Sequence, residues 1–476
     1  MTDINRFYIN GAWVAAQGGQ TMPILNPATN SQIGILTLGD AADVDRAVAA
    51  AKSAFESWGF TPKAERRAFL ARLLAISEER EEEMAQAITA EMGAPITLSR
   101  EQQAASGTGH LRAFLDAIDA VEEEKTLPNG DIISYEPIGV CGLITPWNWP
   151  INQIALKVIP ALATGNTCVL KPSEHTPLSA RLYAEMIHEA GFPKGVFNLV
   201  FGDGPTVGSA LSRHPDIAMM SFTGSTRAGI SVTRNAAENV KRVALELGGK
   251  SPNIIFADAD IEARVPEGVF ECFSNTGQSC NAPTRMLVER SVYDRAVTLA
   301  AQAARSQAVG DPLKEGDHIG PLFDQVQYDR VQAMIQKGLD EGARLVVGGT
   351  GKPDGFETGW YVKPTLFADV TNGMAIAQQE IFGPVLVMIP FDSEDDAVAI
   401  ANDTPFGLDA YVSTADEARA LRVVRRLRAG GIHINGRATD YGSPFGGFKH
   451  SGNGREGGAH GLAEFYEVKV RPPFQA

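Results

Sequence analysis

From Gly139 onward the chain changes rhythm. Short apolar runs of strand character take turns with helical segments: VCGLI, NQIALKVIPALATG, TCVLKP, LSARLYAEMIHEAG, VFNLVFG, IAMMSFTG, RAGISVTRNAA and RVALEL. Parallel strands cannot be joined by hairpins, so each helix must cross back over the sheet. The pattern therefore predicts an α/β fold, a parallel sheet wound by helices on both faces, with ligands at the carboxyl ends of its strands. A second alternating region, from Asn253 to about Arg437, predicts a second α/β unit. Ahead of both, residues 40–122 repeat apolar positions every three or four residues, as helices covering a sheet do. The stretch Glu122–Val140 then breaks that period with Pro and Gly and ends in alternation, like a hairpin leaving a domain. The tail AEFYEVKV also alternates and can pair with another edge or another subunit.

Composition narrows the partners. A net charge of −15 disfavours nucleic acid and anionic membranes, whose phosphates such a surface repels. No apolar run approaches the roughly 20 residues of a membrane-spanning helix, and MTDINRFYING lacks the charged and apolar regions of a secretory signal. A cytoplasmic setting is expected. The four cysteines show no CxxC or paired spacing and the eight histidines are scattered, so neither a disulfide framework nor a metal site is expected.

One cysteine stands apart. Cys141 and Cys168 lie in strand-like apolar runs and Cys272 in a helical one, whereas Cys280 closes the polar, turn-prone SNTGQSC. That setting predicts an approachable thiol, which must be ionised to act as a nucleophile. A carboxylate offers itself as base: in ALELGGKSPNIIF, Glu246 ends an apolar strand just before Gly248 and Gly249. Partial burial there would raise its pKa towards the working range of a general base. TPWNWP supplies Asn148, whose amide N–H groups on a stiff loop suit an oxyanion. Trp147, Trp149 and Phe445, with Phe114, suggest an aromatic substrate channel, while Arg112, Arg437 and Asp440 keep a charged substrate open.

No GxGxxG follows any strand; GDGPTVG is one residue too long. SFTGSTRAG is the better anion site: Gly224 frees the turn after a strand, and Ser225 and Thr226 open a helix whose first amides attract a pyrophosphate. In KPSEHTP, Lys171 is expected to bind ribose hydroxyls or phosphate. Glu174 is expected to accept from the adenine-ribose hydroxyls and to repel a 2′-phosphate, which favours NAD over NADP.

PWNWP, KPSE, FTGSTRAG, ELGGKSP, NTGQSC, EIFGPV and PFGGFKHSGNGRE, in that order, make the chain resemble the NAD(P)-dependent aldehyde dehydrogenases over nearly its whole length. The spacing of 34 positions from Glu246 to Cys280 matches the family pattern too. The resemblance implies that Cys280 attacks an aldehyde and that Asn148 and the Cys280 N–H hold the oxyanion. A hydride then leaves for NAD, and Glu246 activates the water that hydrolyses the thioester. It implies that Glu380 meets the nicotinamide ribose, that Phe382 lies against the cofactor and that Leu247 contacts the nicotinamide side through its backbone.

It also implies a Rossmann-like cofactor domain (1–116 and 138–248), a catalytic domain (249–457) and a strand arm (117–137 and 458–476) that assembles a homodimer or homotetramer. Two alternatives remain at this point: a CoA-acylating semialdehyde dehydrogenase, whose members lack the base at the position of Glu246, and a catalytically silent relative.

Overall fold

The computed structural model of the protein describes residues 2–474. Met1, Gln475 and Ala476, the outermost residues of the expected cofactor unit and arm, lie outside the described residues. Five parallel strands form the centre of the first large sheet: β1 (Val140–Ile144), β2 (Thr167–Lys171), β3 (Phe197–Leu199), β4 (Met219–Thr223) and β5 (Arg242–Glu246). Their spatial order is β5–β4–β1–β2–β3. Strands β1 to β4 are buried along their whole length, which explains their unbroken apolar runs: a parallel sheet is covered on both faces and shows no polar alternation. Antiparallel strands close both edges, Arg6–Ile9 beside β3 and Gly452–Asn453 beside β5.

The crossover helices begin where the sequence marks a start. α1 (Pro150–Ala163) and α2 (Pro177–Glu189) each open on proline, whose missing N–H costs nothing in a first turn. α3 (Thr226–Ala237) is capped by Ser225, whose Oγ accepts from the Ala228 N–H. Helices Ala41–Trp58 and Ala105–Ala120 join them in one apolar core that runs over both faces of this sheet.

The second large sheet is also mostly parallel. β6 (Pro252–Ile255), β7 (Arg285–Glu289), β8 (Thr365–Ala368), β9 (Val385–Phe391), β10 (Asp409–Ser413) and β11 (Gly431–Ile434) lie in the order β8–β9–β7–β6–β10–β11. Helix α4 (Ile261–Phe273) links β6 to β7 across one face. A third, small sheet pairs Glu124–Thr126 with Ile132–Pro137, and Ile132–Pro137 with the tail strand Tyr466–Arg471. The tail thus finds a partner within its own chain, yet it remains an edge strand, with Val468 and Val470 each more than 60% exposed. Among the described residues no helix is long and apolar enough to cross a membrane.

Candidate active site

Chain order reverses between β1 and β4, and the loops that leave their carboxyl ends carry TPWNWP and FTGSTRAG. A crevice at such a switch point is the usual ligand site of a doubly wound sheet. Beside it lie the end of β2, at Lys171, and the end of β5, at Glu246. From Glu246 the chain crosses to the amino end of β6 in five residues. The loop carrying Cys280 arrives at the amino end of β7, the neighbour of β6. The site therefore joins the carboxyl edge of one sheet to the amino edge of the other.

The loop is tightly wound. Asn275 and Thr276 both adopt left-handed backbone, with φ of 52° and 58°, and Gly277 follows at 71°. For a β-branched residue this conformation is strained, at roughly 1–3 kcal/mol. Polar contacts hold it: Thr276 Oγ1 donates to the Gly320 carbonyl at 3.2 Å, and Gln278 Nε2 donates to the Asn275 carbonyl at 3.1 Å. A side chain at Gly277 would begin 2.1 Å from the Gly383 carbonyl, so the loop closes only on glycine. At Gly249 a Cβ would lie 2.2 Å from the Cys280 carbonyl, which shows how closely the crossing segment passes the nucleophile.

Cys280 is partly exposed, unlike the other three cysteines. The protein packed around its sulfur nevertheless pushes the thiol pKa well up, first by burial and then through Glu380, Asp409 and Glu246. The thiol is neutral in this setting, so its ionisation needs help. Glu246 is 4% exposed and neither carboxylate oxygen has a hydrogen-bond partner. Burial, then the like charges of Glu456 and Asp409, hold its pKa well above the ordinary carboxylate range, against Lys157 and Arg455. An unpartnered carboxyl with a raised pKa can take up and release a proton near neutrality.

Lys157 and Glu456 escape sequence reasoning. Lys157 is fully buried on α1 and is ion-paired with Glu456, whose second oxygen has no partner. The available signal was a lone charge in the apolar run NQIALKVIP.

Asn148 is 4% exposed, and its Nδ2 donates to the Gln278 carbonyl at 2.9 Å. That bond ties one amide hydrogen and leaves the other to act as a donor on the nucleophile's loop. The two indoles of TPWNWP have different neighbours. Trp149 Nε1 donates to Ser279 Oγ at 2.8 Å, next to the nucleophile. Trp147 stacks on Phe323 at 4.3 Å and meets the Phe382 ring edge-on at 5.6 Å. Phe445 is held by reciprocal backbone bonds to Glu456, both at 2.7 Å.

At the crevice, Lys171 and Glu174 are bonded to each other at 2.9 Å rather than standing free. Burial works to raise Glu174, but Lys171 and His175 outweigh it, so this carboxylate is held below its ordinary pKa. Gly224 donates to the Glu246 carbonyl at 3.0 Å, which ties the turn before α3 to the end of β5. Ser225 Oγ satisfies only the Ala228 amide, and the other first-turn amides have no partner within the helix. Leu247 gives its N–H to the Ser451 carbonyl at 2.9 Å, so its carbonyl is the backbone group it can offer a ligand. Glu380 Oε1 accepts from the Gly249 N–H at 2.9 Å, and burial raises its pKa. Residues singled out from sequence thus come from seven separate segments, whereas Phe114, expected in the aromatic channel, is fully buried in the apolar core on the helix Ala105–Ala120.

A cleft of about 1130 Å³ lies beside rather than on Cys280; Glu271, Ser274 and Asn275 form one wall and Glu101 and Gln102 another.

A partly exposed thiol and a buried, unpartnered carboxyl on adjoining segments, beside the switch point of a doubly wound sheet, are an arrangement suited to covalent catalysis next to a dinucleotide. The sequence profile of the aldehyde dehydrogenase family matches residues 13–471, and the chain belongs to that family. The 3-succinoylsemialdehyde-pyridine dehydrogenase of a Pseudomonas species is 50% identical over 471 residues, which cover 99% of this chain and 98% of that one. An aldehyde dehydrogenase structure from Bartonella henselae superposes with a TM-score of 0.97 at 50% identity, covering 99% of both chains. Aldehyde dehydrogenase C of Pseudomonas syringae, solved as a cysteine-to-alanine variant with NAD+ and octanal, also gives 0.97 at 50% identity, covering 98% of this chain and 96% of that one.

The buried pair next to Glu246 generates a prediction. Glu456→Gln removes a like charge from beside the base and frees the positive charge of Lys157, and both changes favour the Glu246 carboxylate. The acid limb of the kcat–pH profile should move to lower pH; an unmoved or opposite limb would mean that the pair does not tune the base.

Proposed function

We propose that the protein oxidises an aldehyde to a carboxylic acid with NAD, using Cys280 as nucleophile and Glu246 as base. The observation that carries this reading is a thiol in a partly open loop together with a buried carboxyl that acts on it electrostatically and has two unpartnered oxygens. Proton transfer from Sγ to a Glu246 oxygen, direct or through one water, makes the thiolate that adds to the carbonyl carbon. The resulting oxyanion is held by the free N–H of the Asn148 amide and by the Cys280 backbone N–H. When bound, NAD supplies the hydride acceptor. A thioester remains on Cys280, and Glu246 takes a proton from the water that hydrolyses it.

Several features support NAD at the crevice: the first-turn amides of α3 for the pyrophosphate, Lys171 and Glu174 for the adenine ribose, and Glu380 for the nicotinamide ribose. A carboxylate held below its ordinary pKa at Glu174 disfavours a 2′-phosphate. Gly224 and Ser225 shape the pyrophosphate turn, while Phe382 and the Leu247 carbonyl border the nicotinamide. Trp149 and Phe445 would wall the substrate side, with Trp147 shared between substrate and cofactor. The aromatic lining and the relative that acts on a pyridyl semialdehyde support an aldehyde with an apolar or aromatic tail. A panel spanning aliphatic, aromatic, cationic and carboxylate-bearing aldehydes, followed by NADH absorbance, ranks these classes.

The unpartnered Glu246 favours water over CoA as the acceptor of the acyl group. The family arm, 117–137 with 458–476, would join copies into a homodimer or homotetramer, supported by the edge strand Tyr466–Arg471 with its exposed valines. Four unpaired cysteines suit a reducing, cytoplasmic compartment.

Cys280→Ala should abolish NADH formation, and appreciable residual oxidation would remove the central assignment. Glu246→Gln should slow both the first burst of NADH, because the thiol loses its proton acceptor, and the steady turnover, the latter on the order of 100-fold, the usual scale for losing a general base. Unchanged turnover, or a many-fold rescue of the parent protein by CoA, would defeat the hydrolytic reading. Val468→Asp together with Val470→Asp should lower the mass seen by light scattering; an unchanged mass places the assembly surface elsewhere.

A further inference from the structure

The helix that covers the first sheet from Ala105 to Ala120 is preceded by one widened turn, Ser99–Ala104, with hydrogen bonds from residue i to i+5. An extra residue in a turn rotates the side chains on it by about 100° relative to a regular helix, and such bulges gather at functional sites. Here the turn carries Gln103, which is 0% exposed. Its Nε2 donates to the Asn148 carbonyl at 3.0 Å and to Asn275 Oδ1 at 3.3 Å. Its own Oε1 has no partner. A buried amide that leaves its oxygen unmet is held for its donors, since the opposite orientation would set two oxygens against each other.

These bonds belong to a closed set. Asn275 Nδ2 donates to the Asn148 carbonyl at 2.9 Å and to the Gln278 carbonyl at 3.3 Å, and the Gln278 carbonyl also accepts from Asn148 Nδ2 at 2.9 Å. Because a carbonyl only accepts, every amide in the set has one permitted orientation. Two backbone carbonyls therefore receive two bonds each, and the peptide and the side chain of Asn148 are clamped by different members of one network. Three segments meet there: the widened turn, the loop after β1 and the loop of the nucleophile.

We propose that Gln103 is a positioning residue for the oxyanion donor, holding Asn148 so that its free N–H points to where negative charge develops beside Cys280. The inference rests on Asn148 serving as that donor. Gln103 lies far from both motifs in sequence and touches no reacting atom. Its contribution is to fix the Asn148 peptide, and a misplacement of about 1 Å at a reacting centre can cost on the order of 100-fold in rate.

The test uses the full-length protein and two reactions that share the oxyanion: NAD-dependent oxidation of octanal, and hydrolysis of 4-nitrophenyl acetate without NAD. Gln103→Met preserves volume beside Met92 and removes both donors. It should lower kcat in both reactions by a similar factor of at least about tenfold, with KM for NAD and the melting temperature little changed. Gln103→Glu should recover rate relative to Gln103→Met as pH falls, because a protonated carboxyl regains one donor to the Asn148 carbonyl. If Gln103→Met does not fold, the rate of Gln103→Glu relative to the parent protein across the same pH range carries the test, and it should rise as pH falls. Rates within twofold of the parent in folded Gln103→Met, or no recovery by Gln103→Glu at low pH, would overturn the inference. Asn148→Ala separates the two layers: if it loses both activities while Gln103→Met keeps them, only the positioning role fails. If Asn148→Ala keeps both activities, the oxyanion reading beneath it fails as well.

Discussion

The site depends on one close approach. Between Glu246, the last residue of β5, and Pro252, the first of β6, the backbone passes so near the catalytic loop that Gly249 has no room for a side chain against the Cys280 carbonyl. The same crossing gives the Gly249 N–H to Glu380 and the Leu247 N–H to the Ser451 carbonyl. Glu246, Cys280 and Glu380 are thus tied to a single short segment.

That crowding sets the electrostatics. Glu246, Glu380 and Asp409 all act on one thiol and raise its pKa, while burial raises Glu246 and Glu380 themselves. Burial also raises Glu456, and its pairing with Lys157 works against that rise. The result at Glu246 is a carboxyl that holds a proton more readily than an exposed one. Such poise suits chemistry in which a thiol and later a water must each lose a proton to the same acceptor.

Much of this was legible along the chain. The strand and helix alternation after Gly139 predicted the first sheet, because parallel strands buried on both faces leave an unbroken apolar signature. The polar surroundings of Cys280 and the glycines after Glu246 marked the reacting groups, because loops near a site need small residues and freedom to bend. Lys157 and Glu456 were harder to find: one is a lone lysine in an apolar helix and the other lies 299 positions away, so the sequence contains no sign of their pairing. The bond between Lys171 and Glu174 was also hidden, since four adjacent positions at a strand end do not reveal which way the side chains turn.

By itself the sequence determined the fold class and the order of the motifs, and it pointed to a thiol, a base and an oxyanion amide as candidates. These are local signals, written in hydrophobic period and in residue types that suit particular chemistry. Only the tertiary structure decided that the two indoles of TPWNWP face different neighbours, that the amino edge of one sheet meets the carboxyl edge of the other, and that Gln103 reaches the Asn148 carbonyl. The reason is physical: hydrogen-bond direction, burial and pKa depend on which groups lie within a few ångströms in space. Separation along the chain does not set that distance.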